Sequence, residues 1–268
     1  MEKWHHPDTL AELCRIMGYI QRESGAEARN FLLACFSAIL TETTGRWGKQ
    51  HGFFADSTPL PAEMSTPPFR PAIDLFVSRI NRALDTFERY YAFIERDSRE
   101  PSLELDRGRA LRINIETAAP ESYGLPDGGA AAIITSPPYL CMADYTLGNR
   151  LSYYWLFPEA LELDFDGEIG ARRTRFVPKR ALDRYTASMA RFADMSYSLI
   201  RPGGFLAVIM GNPVARAFAE TDLTEAFRVS AVAAGFEPMW TRQRQVHWHR
   251  NHGYARLRSE QIAVFVRP

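Results

Sequence analysis

A short apolar run in this sequence ends abruptly in residues that could do chemistry. Ala130 to Ile134 is followed by Thr135, Ser136, Pro137, Pro138 and Tyr139. An apolar run of this length, bounded by turn-forming residues, predicts a buried strand. Neither proline can continue a central strand, because each lacks an N–H and fixes φ. The chain is therefore predicted to leave the sheet at Ser136, at the carboxyl end of a strand, where open α/β sheets bind ligands.

Ser136, Pro137 and Tyr139 could together hold a planar ring that carries an exocyclic amine. The ring would stack on Tyr139, while the NH2 group donates to Ser136 Oγ and to the Pro137 carbonyl. Hydrogen bonds accepted from the amine draw its lone pair out of conjugation and make it a better nucleophile. Attack on a methylsulfonium then needs no general base of tuned pKa. A structural Ser-Pro-Pro turn is the alternative interpretation of the same residues.

Residues Thr135 to Tyr139 resemble motif IV of the amino-methylating DNA methyltransferases, which make N4-methylcytosine or N6-methyladenine. The resemblance continues in five further segments: Asp144-Tyr145, Asn149-Arg150-Leu151, Glu168-Ile169-Gly170 with Arg172-Arg173, Leu199 to Gly204, and Met210-Gly211-Asn212. It covers about the last 160 residues well and the first hundred loosely.

The resemblance implies an α/β fold, a partial Rossmann-like sheet of the S-adenosylmethionine-dependent methyltransferases with a helical N-terminal region. Residues 1–100 are predicted to be the helical region, which serves target recognition or partner packing. Residues 101–268 are predicted to be the catalytic half of the methyltransferase. The implied reaction is methyl transfer from S-adenosylmethionine to the N4 amine of cytosine or the N6 amine of adenine in DNA. Serine in the first position of the motif favours cytosine in this family.

The resemblance also assigns roles to individual residues. Ser136 and the Pro137 carbonyl would polarise the amine, Pro138 would shape the turn, and Tyr139 would stack on the base. Thr135 and Asn212 would contact the cofactor. The residues implied at the target base or along the DNA backbone are Asp144, Tyr145, Asn149, Arg150, Arg172 and Arg173.

One expected part of such an enzyme is missing from the sequence. The family holds S-adenosylmethionine with a strand that runs into an Asp-Pro-Phe-x-Gly-x-Gly turn, followed by a strand ending in an acidic residue. Glycines let the backbone approach the cofactor, and the acid accepts from the ribose hydroxyls. The glycines of segment 124–129 and of Gly203-Gly204 precede strands instead of following them. The family order that fits this chain places the cofactor motif upstream of residue 1.

Three interpretations remain open. The chain is one subunit of a split enzyme, and a second protein subunit supplies the FxGxG cofactor motif and pairs with an exposed sheet edge. Alternatively, it is a catalytically degenerate DNA-binding or regulatory module of a restriction-modification system. In the third interpretation, Ser136 and the basic loops serve another nucleotide chemistry such as hydrolysis. The third is weakest, because the sequence shows no Ser-His-Asp set and no metal-ligand set.

Composition and charge set limits on these interpretations. The 268 residues are 46% hydrophobic and 24% charged, which is typical of a globular protein, and the formal net charge is zero. DNA binding would therefore depend on local clusters of basic residues: Arg172, Arg173, Arg175, Lys179 and Arg180, and then Arg242, Arg244, Arg250, Arg256 and Arg258. Three widely spaced cysteines and the lack of a signal or transmembrane segment predict a soluble protein of the reducing cytoplasm.

Periodicity predicts the elements that position the motif. The predicted elements are two helices within 8–44, a loop over 45–71, a helix over 72–97, a strand over 110–115, the central strand at 130–134, a loop-rich aromatic segment over 140–180, a helix over 182–200, a strand over 205–210, a helix over 222–234, and two strands at 243–248 and 261–266. The last two strands are expected to form the antiparallel pair that closes a methyltransferase-like sheet.

Overall fold

The computed structural model describes residues 1–44, 66–97, 110–115, 118–213, 216–218, 220–244 and 257–268. The chain divides into two compact units, Met1–Arg107 with Tyr145–Asp166, and Gly108–Asp144 with Gly167–Pro268. Residues 145–166 were predicted to belong to the second region, whereas their contacts place them with the N-terminal helices. The roles assigned to the two regions stay predictions. No helix within the described ranges is both long enough and apolar enough to cross a membrane.

The first unit is helical. Its helices are α1 (Pro7–Arg22), α2 (Ala26–Ile39), α3 (Ala72–Asp97), α4 (Tyr145–Gly148), α5 (Arg150–Leu156) and α6 (Leu161–Gly167), whose last residue counts with the second unit. The apolar residues of α1 and α2 recur at helical spacing and form the core of this unit, which includes Leu13, Ile20, Phe36 and Ile39. The predicted helices are confirmed here, but the segment predicted to be loop-rich over 140–180 contains the three short helices α4, α5 and α6.

The second unit contains a four-stranded mixed sheet. Its elements are β1 (Ala130–Thr135), α7 (Pro178–Leu199), β2 (Ile200–Pro213), α8 (Leu223–Ala233), β3 (Glu237–Arg244) and β4 (Leu257–Val266). The described strands lie in the order β1-β2-β4-β3, with β1 parallel to β2 and β4 antiparallel to both of its neighbours. The predicted α/β class is confirmed, and β3 and β4 form an antiparallel pair, although β3 begins before the predicted strand.

One face of this sheet is covered by α7 and α8. Leu206, Val208 and Met210 alternate along β2, and all three are buried in the core cluster that includes Phe192 of α7 and Phe227 of α8. Aromatic contacts extend this core to β4, since the rings of Phe227 and Phe265 lie 5.7 Å apart. The core thereby fixes which face of each strand points toward the helices.

Three strand predictions need correction. The run at 130–134 was predicted to be a buried central strand, but β1 lies at an edge of the described sheet, and Ile134 is 71% exposed. Only alternate residues of β1 can face α7 and α8, and no described strand pairs with its other edge. Residues 110–115 form no strand. The strand predicted at 243–248 is instead β3, which ends at Arg244, and residues 245–248 lie outside the described residues, as does most of the loop predicted over 45–71.

Replacing Phe265 with alanine is expected to destabilise the second unit strongly. Phe265 is 1% exposed, and loss of a buried phenylalanine costs about 3–5 kcal/mol through lost transfer energy and a cavity. The free energy of unfolding in urea measures the effect. Phe176→Ala is the matched control, because Phe176 is 76% exposed and its removal opens no cavity. Equal stability of the two variants would contradict the assignment of the core.

Candidate functional site

The chain leaves the sheet where the two prolines predict. Thr135 is the last residue of β1 and pairs with Val208 of the parallel strand β2. Ser136 follows with an exposed side chain, and its Oγ lies 3.4 Å from the carbonyl oxygen of Ile209 on β2. Pro137 is buried beneath it. A hydroxyl group therefore stands exposed at the carboxyl end of β1, at the edge where α/β sheets bind ligands.

Tyr139 is held in place by a carboxylate from β4. Its hydroxyl donates to Glu260 Oε1 at 2.5 Å and accepts from Ser136 Oγ at 3.0 Å. The other carboxylate oxygen, Oε2, pairs with Arg244 Nε of β3 at 3.2 Å. Glu260 stands opposite Arg244 in the β3–β4 pairing and opposite Gly211 in the β2–β4 pairing. The end of β1 and the strands β3 and β4 thus bring a serine, a tyrosine, a glutamate and an arginine together.

This environment keeps the Tyr139 phenol protonated. Burial of the side chain is the largest cause, and donation to Glu260 together with the charge of that carboxylate adds to it. These effects raise the pKa of Tyr139 from 10.0 to about 12, against the opposing influences of Ser136 and Arg244. The hydroxyl therefore remains a hydrogen-bond donor throughout the physiological range.

The segment after Tyr139 folds into a tight turn that rests on Gly170. Met142 N donates to the Tyr139 carbonyl at 3.3 Å, and Cys141 adopts a left-handed conformation, with φ 57°. Cys141 N donates to the Gly170 carbonyl at 2.8 Å. Gly170 has φ +69°, and a Cβ there would lie 3.3 Å from both the Tyr139 carbonyl oxygen and the Tyr185 ring. The positive φ favours glycine at this position, and the close contacts leave little room for a side chain.

Asp144, Arg172 and Arg173, which the sequence assigns to the target, lie together in the second unit. Asp144 Oδ1 accepts from Arg173 N at 2.9 Å and from Arg173 Nη1 at 3.3 Å. The same Nη1 donates to Glu168 Oε2 at 2.8 Å, and Arg172 N donates to the Ala143 carbonyl at 2.9 Å. Two carboxylates therefore hold the Arg173 guanidinium in one position.

A cavity of about 210 Å³ opens beside this network. Three arginines line it, Arg173 from the network and Arg180 and Arg184 from the first turns of α7, where they are one helical turn apart. Glu168, Gly170 and Tyr185 complete much of the wall. Arg180 and Arg184 are exposed, so this cavity presents positive charge to an incoming anion.

The remaining predicted target residues, Tyr145, Asn149 and Arg150, lie in the first unit. Asn149 Nδ2 donates to the Tyr145 carbonyl at 2.9 Å, and the Arg150 guanidinium lies 5.5 Å from the ring centre of Trp4. Arg150 also lines a second cavity, with Tyr154 and Phe165. These side chains combine aromatic surface with positive charge, and their role at the target stays a prediction.

The two predicted cofactor contacts differ in their surroundings. Thr135 ends β1 next to Ser136 and is partly buried. Asn212 is 3% exposed; its Oδ1 accepts from Leu223 N at 2.8 Å, and its Nδ2 donates to Asp222 Oδ1 at 3.2 Å. Asp222 in turn caps α8 through Thr224 N and Glu225 N. Asn212 therefore anchors the start of α8 to the end of β2, and its contact with a cofactor stays a prediction.

Sequence reasoning missed Glu260 and gave Arg244 no role beyond a basic cluster. One signal was available, since Glu260 is a charged residue two positions before the apolar end of a strand, Ile262 to Val266. Its partner Tyr139 lies 121 residues away, so only the sheet register brings them together. Within the described part of the chain, no three His, Cys, Asp or Glu side chains come together in a way that could hold a metal ion.

Comparison with known proteins gives fold-level likeness only. No protein-family model and no curated protein matches the sequence. Crystal structures of a protein from Thermus thermophilus, assigned as a DNA modification methylase, are similar to 55–60% of this chain. The form complexed with S-adenosyl-L-methionine has 18% identity and a TM-score of 0.33, and another crystal structure of it has 20% identity and a TM-score of 0.36. This chain spans 51% and 55% of the length of those two structures. At these values the likeness identifies no site residue and no activity.

Tyr139 is expected to titrate far above an ordinary tyrosine. Its raised pKa means that its contribution to stability is present below about pH 10 and is lost as the pH rises toward about 12. The chain has 11 tyrosines. Subtracting the ultraviolet titration curve of Tyr139→Phe from that of the wild type isolates the Tyr139 phenol from the other ten. Glu260→Gln should shift the midpoint down. A midpoint at the ordinary value of 10.0 in the wild type would contradict the contact.

Proposed function

We propose that this chain is the target-base part of a DNA methyltransferase. Its reaction is transfer of a methyl group from S-adenosylmethionine to an exocyclic amine, N4 of cytosine or N6 of adenine. One observation carries this proposal, namely the exposed Ser136 hydroxyl that follows β1, with Pro137 and the anchored Tyr139 beside it. Serine in the first position favours cytosine in the family that the motif resembles.

The arrangement suits an amine held for attack. The NH2 group of the base donates to Ser136 Oγ and the Pro137 carbonyl, which localises the nitrogen lone pair. The Tyr139 ring offers a flat surface for stacking, and its hydroxyl edge is tied to Glu260. The target base must leave the duplex to reach this turn, which costs a few kcal/mol of unstacking and unpairing. The turn thus positions the amine and shields one face of the base.

Positive charge near the turn supports a nucleic-acid substrate. Gly170 also lines the cavity that contains Arg173, Arg180 and Arg184, and its carbonyl accepts from Cys141 N, two residues after Tyr139. A phosphate in this cavity would lie close to the turn that holds the base. Arginine contacts to phosphates supply most of the affinity for DNA and fix its register on the protein.

The described residues do not form a complete cradle for S-adenosylmethionine. Gly128 and Gly129 precede β1, and Gly203 and Gly204 lie near the start of β2, so none forms a glycine turn at the carboxyl end of a strand. The buried amide of Asn212 is engaged in anchoring α8. The cofactor therefore comes, in this proposal, on a second protein subunit, which supplies the methyl group, and the residues of this chain position the amine.

The open edge of β1 is the proposed site for that subunit. Among the described strands only β2 pairs with β1, and an uncovered edge is a template for another strand. Ile134 of β1 is exposed beside this edge and would be covered by the added strands. Gly204 lets β2 approach closely on the paired side, where a Cβ would lie 2.6 Å from the Ala131 carbonyl oxygen.

A catalytically degenerate DNA-binding module is the second candidate, favoured by the missing cofactor motif. The intact Ser-Pro-Pro-Tyr turn favours catalysis instead, because a module that only binds DNA needs no group that activates an amine. Hydrolysis through Ser136 is disfavoured by its neighbours, since the described partners of its hydroxyl are Tyr139 and Ile209 and not a histidine base.

Tyr139→Ala is expected to abolish methyl transfer while leaving the fold intact, because the stacking surface is lost and the side chain lies outside the main core. Tyr139→Phe keeps the ring and should keep most of the activity. Transfer of labelled methyl groups to DNA, measured on the chain together with its cofactor-supplying subunit, compares the variants. Circular dichroism verifies folding. Methyl transfer retained by Tyr139→Ala would contradict the assignment of this site.

Removing the charges of Arg180 and Arg184 is expected to weaken DNA binding without changing sequence preference. Each arginine that contacts a phosphate contributes about 1 to the slope of log K against log salt, so the double alanine variant should show a shallower slope. Fluorescence anisotropy of labelled DNA at several salt concentrations measures it. Arg228→Ala is the control, because Arg228 is exposed on α8 and paired with Glu225. Equal slopes in both variants would exclude the cavity as a phosphate site.

A further inference from the structure

Glu260 fixes the direction of the hydrogen bond between Tyr139 and Ser136. Its carboxylate is 8% exposed, with Oε2 paired to Arg244 and Oε1 within 2.5 Å of the Tyr139 hydroxyl. An ionised carboxylate can only accept hydrogen bonds. Tyr139 must therefore donate its single proton to Glu260, and its oxygen is left able only to accept.

Because the Tyr139 hydroxyl donates to Glu260, the direction of hydrogen bonding at Ser136 is determined as well. The two described partners of its Oγ are the Tyr139 oxygen at 3.0 Å and the Ile209 carbonyl at 3.4 Å. Both are acceptors, because Tyr139 has already used its proton and a carbonyl has none. Ser136 therefore directs its one proton toward Tyr139 or Ile209, into the protein. The hydroxyl is exposed on its other side and offers lone pairs there.

A hydroxyl that offers only lone pairs discriminates between bases. The exocyclic amines of cytosine and adenine donate a hydrogen bond to this hydroxyl. In uracil and hypoxanthine a carbonyl replaces the amine, and its lone pairs would face the lone pairs of Ser136 Oγ with no proton between them. A site built to pair with a donor rejects an analogue that lacks it, because the polar groups are then left unpaired.

We propose that Glu260 is a specificity-determining positioning residue, which acts through Tyr139 to hold Ser136 as a pure hydrogen-bond acceptor and so selects a base with an exocyclic amine over one with a carbonyl. This inference rests on the proposed function, since it deepens the role of the same turn. Glu260 does not touch the base itself.

The test uses single-stranded DNA oligomers of equal length, whose phosphate contacts cancel in a ratio of affinities. Binding of oligo-dC against oligo-dU, and of oligo-dA against oligo-deoxyinosine, is measured with the full chain by fluorescence anisotropy. In at least one pair the wild type should bind the amine-containing oligomer about tenfold more tightly than the carbonyl-containing one. This is the difference expected when one hydrogen bond is replaced by an unpaired polar group. Glu260→Gln should reduce that ratio toward one, because a glutamine amide can donate to Tyr139 and release its proton toward Ser136.

A double variant separates this role from a merely structural one. In Glu260→Gln the Tyr139 hydroxyl donates toward Ser136, so the Ser136 proton loses its acceptor at 3.0 Å and keeps only the Ile209 carbonyl at 3.4 Å. Tyr139→Phe removes the same acceptor and should lower the preference to a similar extent. Tyr139→Phe combined with Glu260→Gln should lower it no further, because Glu260 acts on Ser136 only through the Tyr139 hydroxyl. Glu225→Gln is the matched control, since Glu225 is exposed on α8 and paired with Arg228.

An unchanged ratio in Glu260→Gln, or a loss in the double variant beyond that of Tyr139→Phe alone, would overturn the inference and leave the proposed function standing. Equal binding of amine and carbonyl oligomers by the wild type would also overturn it. Failure of the wild type to bind any of the oligomers would instead count against the proposed function, and the inference would fall with it.

Discussion

The antiparallel register between β2 and β4 is the constraint on which the candidate site depends. It places Gly211 opposite Glu260, at the edge of the sheet where β1 ends. Because side chains alternate along a strand, Ala263 and Phe265 project into the core under α7 and α8 while Glu260 projects to the other face. A slip of one residue would reverse these faces and remove the acceptor from Tyr139. The packing of Phe265 therefore fixes the position of a carboxylate that the site requires.

Features with a local cause were predictable from the sequence. Two prolines end β1 because neither can donate to the sheet, and the apolar spacing of α7 is that of a helix packed on one face. The exposed serine at the carboxyl end of β1 follows from these local rules alone. The resemblance assigned Asp144 and Arg173 to the target, and their ion pair with each other and with Glu168 was not predicted.

Features that depend on distant partners were not predictable in the same way. Residues 110–115 alternate like a strand, but no described strand pairs with them, and alternation alone does not create a sheet. The helices α4, α5 and α6 lie in an aromatic segment with many polar residues, and each is too short to show a periodic pattern. Glu260 acquires its role from the register of β4, which no local signal encodes. The exposed edge of β1 likewise became evident only from the order of the strands.

Two properties of the site explain its proposed chemistry together. The prolines and Gly170 fix a backbone that can approach a planar ring closely. The series of side-chain contacts from Arg244 through Glu260 and Tyr139 to Ser136 fixes where protons and lone pairs lie. The methyl donor is then the part that the described residues do not hold. A subunit that completes the sheet at β1 would bring the cofactor to the edge where the amine is presented.

Identification of the modified base in cellular DNA tests the central claim most directly. The chain is expressed with its genomic-neighbour proteins in a host that lacks DNA methylation of its own, and nucleosides from the digested DNA are identified by mass spectrometry. The account predicts N4-methylcytosine or N6-methyladenine with the wild type and neither with Ser136→Ala. DNA without a methylated amine in the wild type, or equal methylation in Ser136→Ala, would contradict it.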